Sequence, residues 1–296
     1  MTSNPDMSAR SSHPGTGIAV ALSSSFYGFY AHSAFMGALH EAGIFPDQIA
    51  GTSSGAFTAA ICGMGLQGRE IENFTLRPGL RRSFIDWAAP LRFPGVASSL
   101  YSSGILSGNN AVKYLREQLQ SARLENFQSP RIQIAVTNLT KRESRLITEG
   151  DAAEWVIASC SIPGLFCNRV INGERWCDGG VALHVPFDHW IDDPSIHTIV
   201  IHNIDHTPGT ELVMQWPTLS SGFAACHETI SKETTDLRLR LARMHGKNLI
   251  IARSETAHPK LFPHKQRESL FEVGRATGRD IAKTLHSRQS TPLASR

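Results

Sequence analysis

The sequence predicts an α/β protein: three layers, α/β/α, around a mostly parallel central sheet. Short apolar runs of strand length alternate along the chain with stretches whose apolar residues recur at helical spacing. Such alternation builds parallel sheets, because each crossover helix returns the chain to the same sheet and covers one of its faces. The run HTIVIHN at 197–203 carries three consecutive apolar β-branched residues, the mark of a strand buried on both faces. With 41% hydrophobic and 19% charged residues, the 296-residue chain can bury a substantial core. That composition excludes a disordered, collagen-like or disulfide-scaffold protein.

Taken in order, Ile18–Leu22 is a buried strand after a Gly-rich lead. Residues 30–42 place Phe35, Met36 and Leu39 at helical spacing, and Gly43 supplies the stop. A second short strand at 48–50 is followed by a turn at 51–55 and helices at 56–64 and 69–76. Residues 77–106 hold Pro78, Pro90 and Pro94 and are expected to be irregular. An amphipathic helix at 110–120 shows Val112, Leu115 and Leu119 on one face, and 131–136 alternates as a strand does. A helix at 152–159 ends in the break Ser161-Ile162-Pro163-Gly164. Strands at 170–171 and 175–177 flank Asn172-Gly173, a strong hairpin signal. After the strand at 197–203 come a charged helix at 228–245, a strand at 248–252 and a final helix at 268–285.

No linker divides this pattern, so one domain is expected over 17–286, between disordered tails at 1–16 and 287–296. Lys and Arg number 29 against 26 acids, a net charge of +3. So small a surplus does not predict nucleic-acid binding, and it is compatible with a peripheral membrane surface. The first residues lack the apolar stretch of a secretory signal. The uncharged span 48–68 is long enough for a bilayer but is built of Gly, Ser, Thr and Ala around a turn, so no transmembrane helix is expected. The five cysteines (62, 160, 167, 177 and 226) are odd in number and lack metal-knuckle spacing. They read as reduced thiols of a cytoplasmic protein; a secreted protein without a cleavable leader would look the same. No metal or nucleotide motif occurs, and no cofactor is expected.

Gly51-Thr52-Ser53-Ser54-Gly55 fits G-x-S-x-G between a strand and a small-residue helix, the setting of a nucleophile elbow. Ser53 on a tight turn needs small neighbours, which Gly51 and Gly55 provide, and the following helix N-terminus favours developing negative charge. The same residues also describe a Gly/Ser loop opening a helix, with Ser53 as its cap. A Ser-His-Asp arrangement fits poorly, because only one strand–helix unit precedes Ser53 and no histidine announces itself; His206 is the best placed. Asp178, followed by Gly179 and Gly180 at a strand end, is the better partner, although Asp-Gly is also an ordinary turn dipeptide.

Together these segments resemble the patatin-like phospholipase family. The resemblance covers 18–203 and rests on four stretches: ALHEAGI at the end of the first helix (residues 38–44), IAGTSSGAF (49–57), ASCSIPGLF (158–166) and Asp178-Gly179-Gly180. It implies a Ser-Asp dyad without histidine, with Ser53 as nucleophile and Asp178 as general base, acting on lipid or phospholipid acyl esters through an acyl-enzyme. Two departures stand out. The family's Gly-rich oxyanion loop, usually with a basic residue, is here Ser23-Ser24-Ser25-Phe26-Tyr27-Gly28. Backbone amides survive such a change, so Ser24 or Ser25 with Ser54 is expected to form the oxyanion hole. His184 stands where the family commonly has Asn, and a local hydrogen-bonding role is expected for it.

Residues 77–101 interleave Arg77, Arg81, Arg82 and Arg92 with Phe84, Trp87, Phe93 and Tyr101, a composition suited either to a lipid interface or to a core with solvated arginines. The leading expectation is a phospholipase A or lipid acyl hydrolase. A catalytically weak lipid- or protein-binding member and an acyltransferase are the alternatives.

Overall fold

The computed structural model describes residues 15–98, 103–206, 219–257 and 266–289. The tails expected at 1–16 and 287–296, and Tyr101, fall largely outside them. Thr16, within them, already donates its amide to Asp47 Oδ1 at 2.9 Å.

The chain opens with β1 (Ile18–Leu22), α1 (Phe29–Glu41), β2 (Gln48–Thr52), α2 (Ser54–Gly63) and α3 (Arg69–Thr75). Then follow α4 (Pro78–Ser83), α5 (Ala89–Ser98), β3 (Gly104–Leu106), α6 (Asn109–Gln118), β4 (Arg131–Asn138) and β5 (Glu143–Ile147). After α7 (Ala152–Ser159) come β6 (Gly164–Phe166), β7 (Arg169–Ile171), β8 (Glu174–Asp178) and β9 (Thr198–His206). The last elements are α8 (Leu219–Met244), β10 (Asn248–Thr256) and α9 (Arg267–Gln289).

The main sheet runs β10-β9-β1-β2-β4-β8-β7, with β5 also on β4. From β10 to β4 every pairing is parallel; β5, β8 and β7 add antiparallel strands. Both faces are covered. Ile18, Val20 and Leu22 of β1 join one core with Phe35, Leu39, Ile61 and Leu285, while Ala19 and Ala21 join another with Phe187, Trp190 and Leu239. This is the period-2 alternation of a strand, apolar on both sides because helices pack on both.

One expectation changes. Within 77–106 the described residues form α4, α5 and the short strand β3, which pairs in parallel with β6, where irregular chain was expected. Prolines do not bar helices at their first turn, where the missing N–H has no intrahelical acceptor to lose. Pro78 opens α4 and Pro90 follows the first residue of α5; Pro94 is the one that lies inside a helix. The span 48–68 is a strand, a turn and a helix, and among the described residues no helix is long and apolar enough to cross a membrane.

The register brings two distant segments together. Residues Ile134 and Ala135 of β4 pair with β2 and β5, so those strands lie on opposite sides of β4. Val136 to Asn138 pair with β5 and β8, so β8 takes the β2 side. Thr52 ends β2 opposite Ala135, and Asp178 ends β8 opposite Val136. Because β2 is parallel and β8 antiparallel to β4, their C-terminal tips face one another across one residue step.

Candidate active site

Ser53 follows directly on β2 and has φ +54° and ψ −115°, a conformation that costs an L-residue energy. The turn closes only because its neighbours lack side chains. A Cβ on Gly51 would run into the backbone of Gly55, and one on Gly55 into the carbonyl of Leu22. The amide of Ser53 donates to Ser159 Oγ at 2.8 Å, and Ser159 donates to the Ala135 carbonyl at 2.6 Å. Cys160 Sγ donates to the Ser53 carbonyl at 3.3 Å.

Asp178 is held as closely. Its amide donates to the Ser161 carbonyl at 2.9 Å, and its own carbonyl accepts from Thr137 Oγ1 at 2.9 Å. Gly179 lies against the Ala135 carbonyl, where a Cβ would collide. The Gly180 amide donates to Asp178 Oδ1 at 2.7 Å. The other carboxylate oxygen, Oδ2, accepts the Ser53 hydroxyl at 2.7 Å. Ser53 and Asp178, selected from motifs 125 residues apart, are therefore in direct contact.

Both side chains are buried, Asp178 to 4% exposure. Burial raises the Asp178 pKa to about 6, against the lowering effects of the Ser53 hydroxyl, the Gly180 amide and the charge of His227. The carboxylate thus remains ionised at neutral pH but is a stronger base than an exposed aspartate. A hydroxyl hydrogen-bonded to a raised-pKa carboxylate can lose its proton as it attacks an electrophile.

The Ser-rich loop departs from expectation in one respect. The Ser24 amide donates to the His184 carbonyl at 2.9 Å, so it is turned onto backbone. Ser25 Oγ lies 3.3 Å from His206 Nε2. Ser54 opens α2, where its amide has no intrahelical acceptor, and its hydroxyl is buried without a partner among the described residues. His206 contacts Ser25 and Thr256, and Ser53 pairs with Asp178. His184 Nε2 lies 3.2 Å from Asn203 Oδ1.

The residues that sequence reasoning missed are Ser159, Ser161 and His227. ASCSIPGLF was legible only as a family signature. Its structural use is to hold Ser53 through Ser159 and Asp178 through the Ser161 carbonyl. His227, on α8, reaches the Val181 carbonyl at 3.0 Å, next to the Asp178-Gly179-Gly180 turn. No local pattern in the sequence marks it.

Among solved structures, the fold is similar to VipD from Legionella pneumophila, with a TM-score of 0.56 and 16% identity over 92% of this chain and 68% of that one. The type III effector ExoU matches with a TM-score of 0.45 and 13% identity over 92% of this chain and 53% of that one. The ExoU–SpcU complex of the Pseudomonas aeruginosa type III secretion system matches with a TM-score of 0.46 and 16% identity, over 95% and 53%. The chain thus spans about two thirds of the first and about half of the others. The family model for patatin-like phospholipase matches residues 20–191, from β1 past the Asp178-Gly179-Gly180 turn. That match takes in more than half of the chain and both halves of the Ser53–Asp178 contact, and the chain belongs to the patatin-like phospholipase family.

Proposed function

We propose that the protein is a serine acyl hydrolase that cleaves lipid acyl esters, as a phospholipase A or lipid acyl hydrolase. The observation that carries this reading is the buried 2.7 Å hydrogen bond from the Ser53 hydroxyl to Asp178. Ser53 Oγ attacks the ester carbonyl while Asp178 Oδ2 takes its proton. The oxyanion of the tetrahedral intermediate meets the Ser54 amide, at the positive end of α2, and the amide of Ser25. The protonated Asp178 then passes its proton to the departing alcohol oxygen, leaving an acyl ester on Ser53. Water attacks that ester with Asp178 again as base, which frees the fatty acid and restores the hydroxyl. A lipid substrate is presented at a water–lipid interface, so the protein works there as a peripheral membrane protein.

One observation favours a second reading. The Ser24 amide is spent on the His184 carbonyl, which weakens the oxyanion site and suits a catalytically weak lipid- or protein-binding member. Fluorophosphonate labelling and p-nitrophenyl ester turnover separate the two. The hydrolase labels and turns over, and Ser53→Ala and Asp178→Asn do neither. Wild-type protein that neither labels nor turns over supports the binding reading, and Ser53→Ala with full turnover overturns the site. Acyl products on added glycerol or lysolipid would mark an acyltransferase.

A further inference from the structure

The stretch from the end of α3 through α5 leaves large apolar side chains in solvent. Trp87 is 89% exposed, Leu91 77% and Phe93 59%, and Leu76 and Ile85 are exposed beside them. Scattered exposed apolar residues are ordinary, but a run of them in one stretch that includes a tryptophan calls for an explanation. Arg77, Arg81 and Arg82 are exposed in the same stretch. Its one acid, Asp86, is turned inward, accepting from Arg92 at 2.8 Å and from the Ser107 and Ala88 amides at 2.8 and 3.0 Å. The outward charge is therefore positive.

The stretch also reaches two segments that adjoin the candidate site. Arg81 lies close enough to Tyr27 and Tyr30, at the Ser-rich loop and the start of α1, to act on both phenols electrostatically. Phe84 packs edge-on against Phe166, 5.9 Å between ring centres, at the end of the segment that holds Ser53 and Asp178.

We propose that residues 76–93 form a docking surface for an anionic lipid bilayer. Trp87, Leu91 and Phe93 enter the boundary between headgroups and acyl chains, and Arg82 meets the anionic headgroups. Charge selects this occupant. A second copy laid face to face would oppose the same positive side chains, whereas an anionic surface attracts them and accepts tryptophan and phenylalanine at its interface. The purpose of docking rests on the hydrolase reading, since it would bring an acyl ester beside Ser53; the docking itself does not.

Binding is measured in the Ser53→Ala protein, so that vesicles stay intact, by co-sedimentation with phosphatidylcholine vesicles with and without phosphatidylserine. The expected result is binding that needs phosphatidylserine and weakens with salt. The triple variant Trp87→Ser, Leu91→Ser, Phe93→Ser lowers it at least tenfold, and Arg82→Gln lowers it by about fivefold. With Ser53 restored, the apolar triple variant keeps its turnover of a soluble p-nitrophenyl ester while losing turnover of vesicle lipid. Vesicle binding that the triple variant leaves unchanged overturns the proposal. So does a dimer that the triple variant splits in the absence of vesicle binding. Vesicle binding that depends on Trp87 without any ester turnover would sustain the docking surface and sink the hydrolase reading instead.

Discussion

The hydroxyl of Ser159 accepts a hydrogen bond from the Ser53 amide at 2.8 Å and donates one to the Ala135 carbonyl at 2.6 Å. Ser159 is fully buried, so this is a dry connection between α7, the turn after β2 and the β4 backbone. Removing it strands a buried amide, and an unsatisfied buried donor costs about 1–3 kcal/mol. Ser159→Ala should lower stability by that amount in chemical denaturation. If the hydrogen bond also orients the nucleophile, kcat falls while KM stays within about twofold. Ser159→Thr, which keeps the hydroxyl, should recover part of kcat. Equal loss in both variants would mean that the hydroxyl acts only through packing.

Asp178 sets opposite pH trends for stability and catalysis. Its folded pKa, about 6, lies above the ordinary 3.8. A carboxyl raised in this way contributes stability below its unfolded pKa, and that stability is lost as pH rises through 6. Above pH 7 the ionised form costs about 3 kcal/mol relative to an unshifted carboxylate. Asp178→Asn should therefore raise the thermal midpoint at pH 8, and the gain should vanish near pH 4. Catalysis needs the ionised form, so kcat/KM should climb with pH through about 6 and then level off. A flat profile between pH 5 and 7 would remove Asp178 as the base.

The strained turn at Ser53 can be tested apart from its chemistry. Ser53→Ala and Ser53→Gly both remove the hydroxyl that Asp178 accepts. Only glycine is at ease at φ +54°. Ser53→Gly should be more stable than Ser53→Ala by about 1 kcal/mol, measured by urea unfolding at one pH. Equal stabilities would show that the turn carries no strain.

Close backbone approach writes itself into sequence as glycine, which is why the surroundings of Ser53 and Asp178 were legible. Gly51, Gly55 and Gly179 each lie where a Cβ would meet backbone. The Asn172-Gly173 signal became the β7–β8 hairpin for a different reason, both residues having positive φ. Ser159 was not legible as a support, because its partner is 106 residues away and a buried serine looks like any other small residue. The helices α4 and α5 were hidden by prolines that stand mostly where a helix tolerates them. The strand β5, ESRLI, was hidden by charge: it pairs with β4, but none of its residues is fully buried.

His32 and His202 provide the last prediction. Their Nδ1 atoms lie 2.8 Å apart, and both rings are fully buried. His32 Nε2 is 2.9 Å from the Ser23 carbonyl, which can only accept, so His32 carries its proton there and offers Nδ1 as acceptor. His202 must then be protonated on Nδ1, leaving Nε2 to accept from Ser254 Oγ at 2.9 Å. Burial lowers the His32 pKa to about 3, against the Ser23 carbonyl, which raises it, and with His184, which lowers it further. Burial likewise drives His202 well below the ordinary value, assisted by His32. Both rings stay neutral in the fold while the unfolded chain begins to protonate near 6.5. Stability from a neutral buried histidine is full above that pH and is lost as pH falls, by up to about 1.4 kcal/mol per pH unit for each ring. Asp178 pulls the other way between 3.8 and 6, but it is one proton against two. Unfolding free energy should therefore decline from pH 7 to pH 5, and His32→Gln should make that decline shallower by about one proton, whatever it does to stability at pH 7. Urea midpoints at several pH values give the slope directly. A slope unchanged by His32→Gln would mean that this ring is already charged in the folded protein.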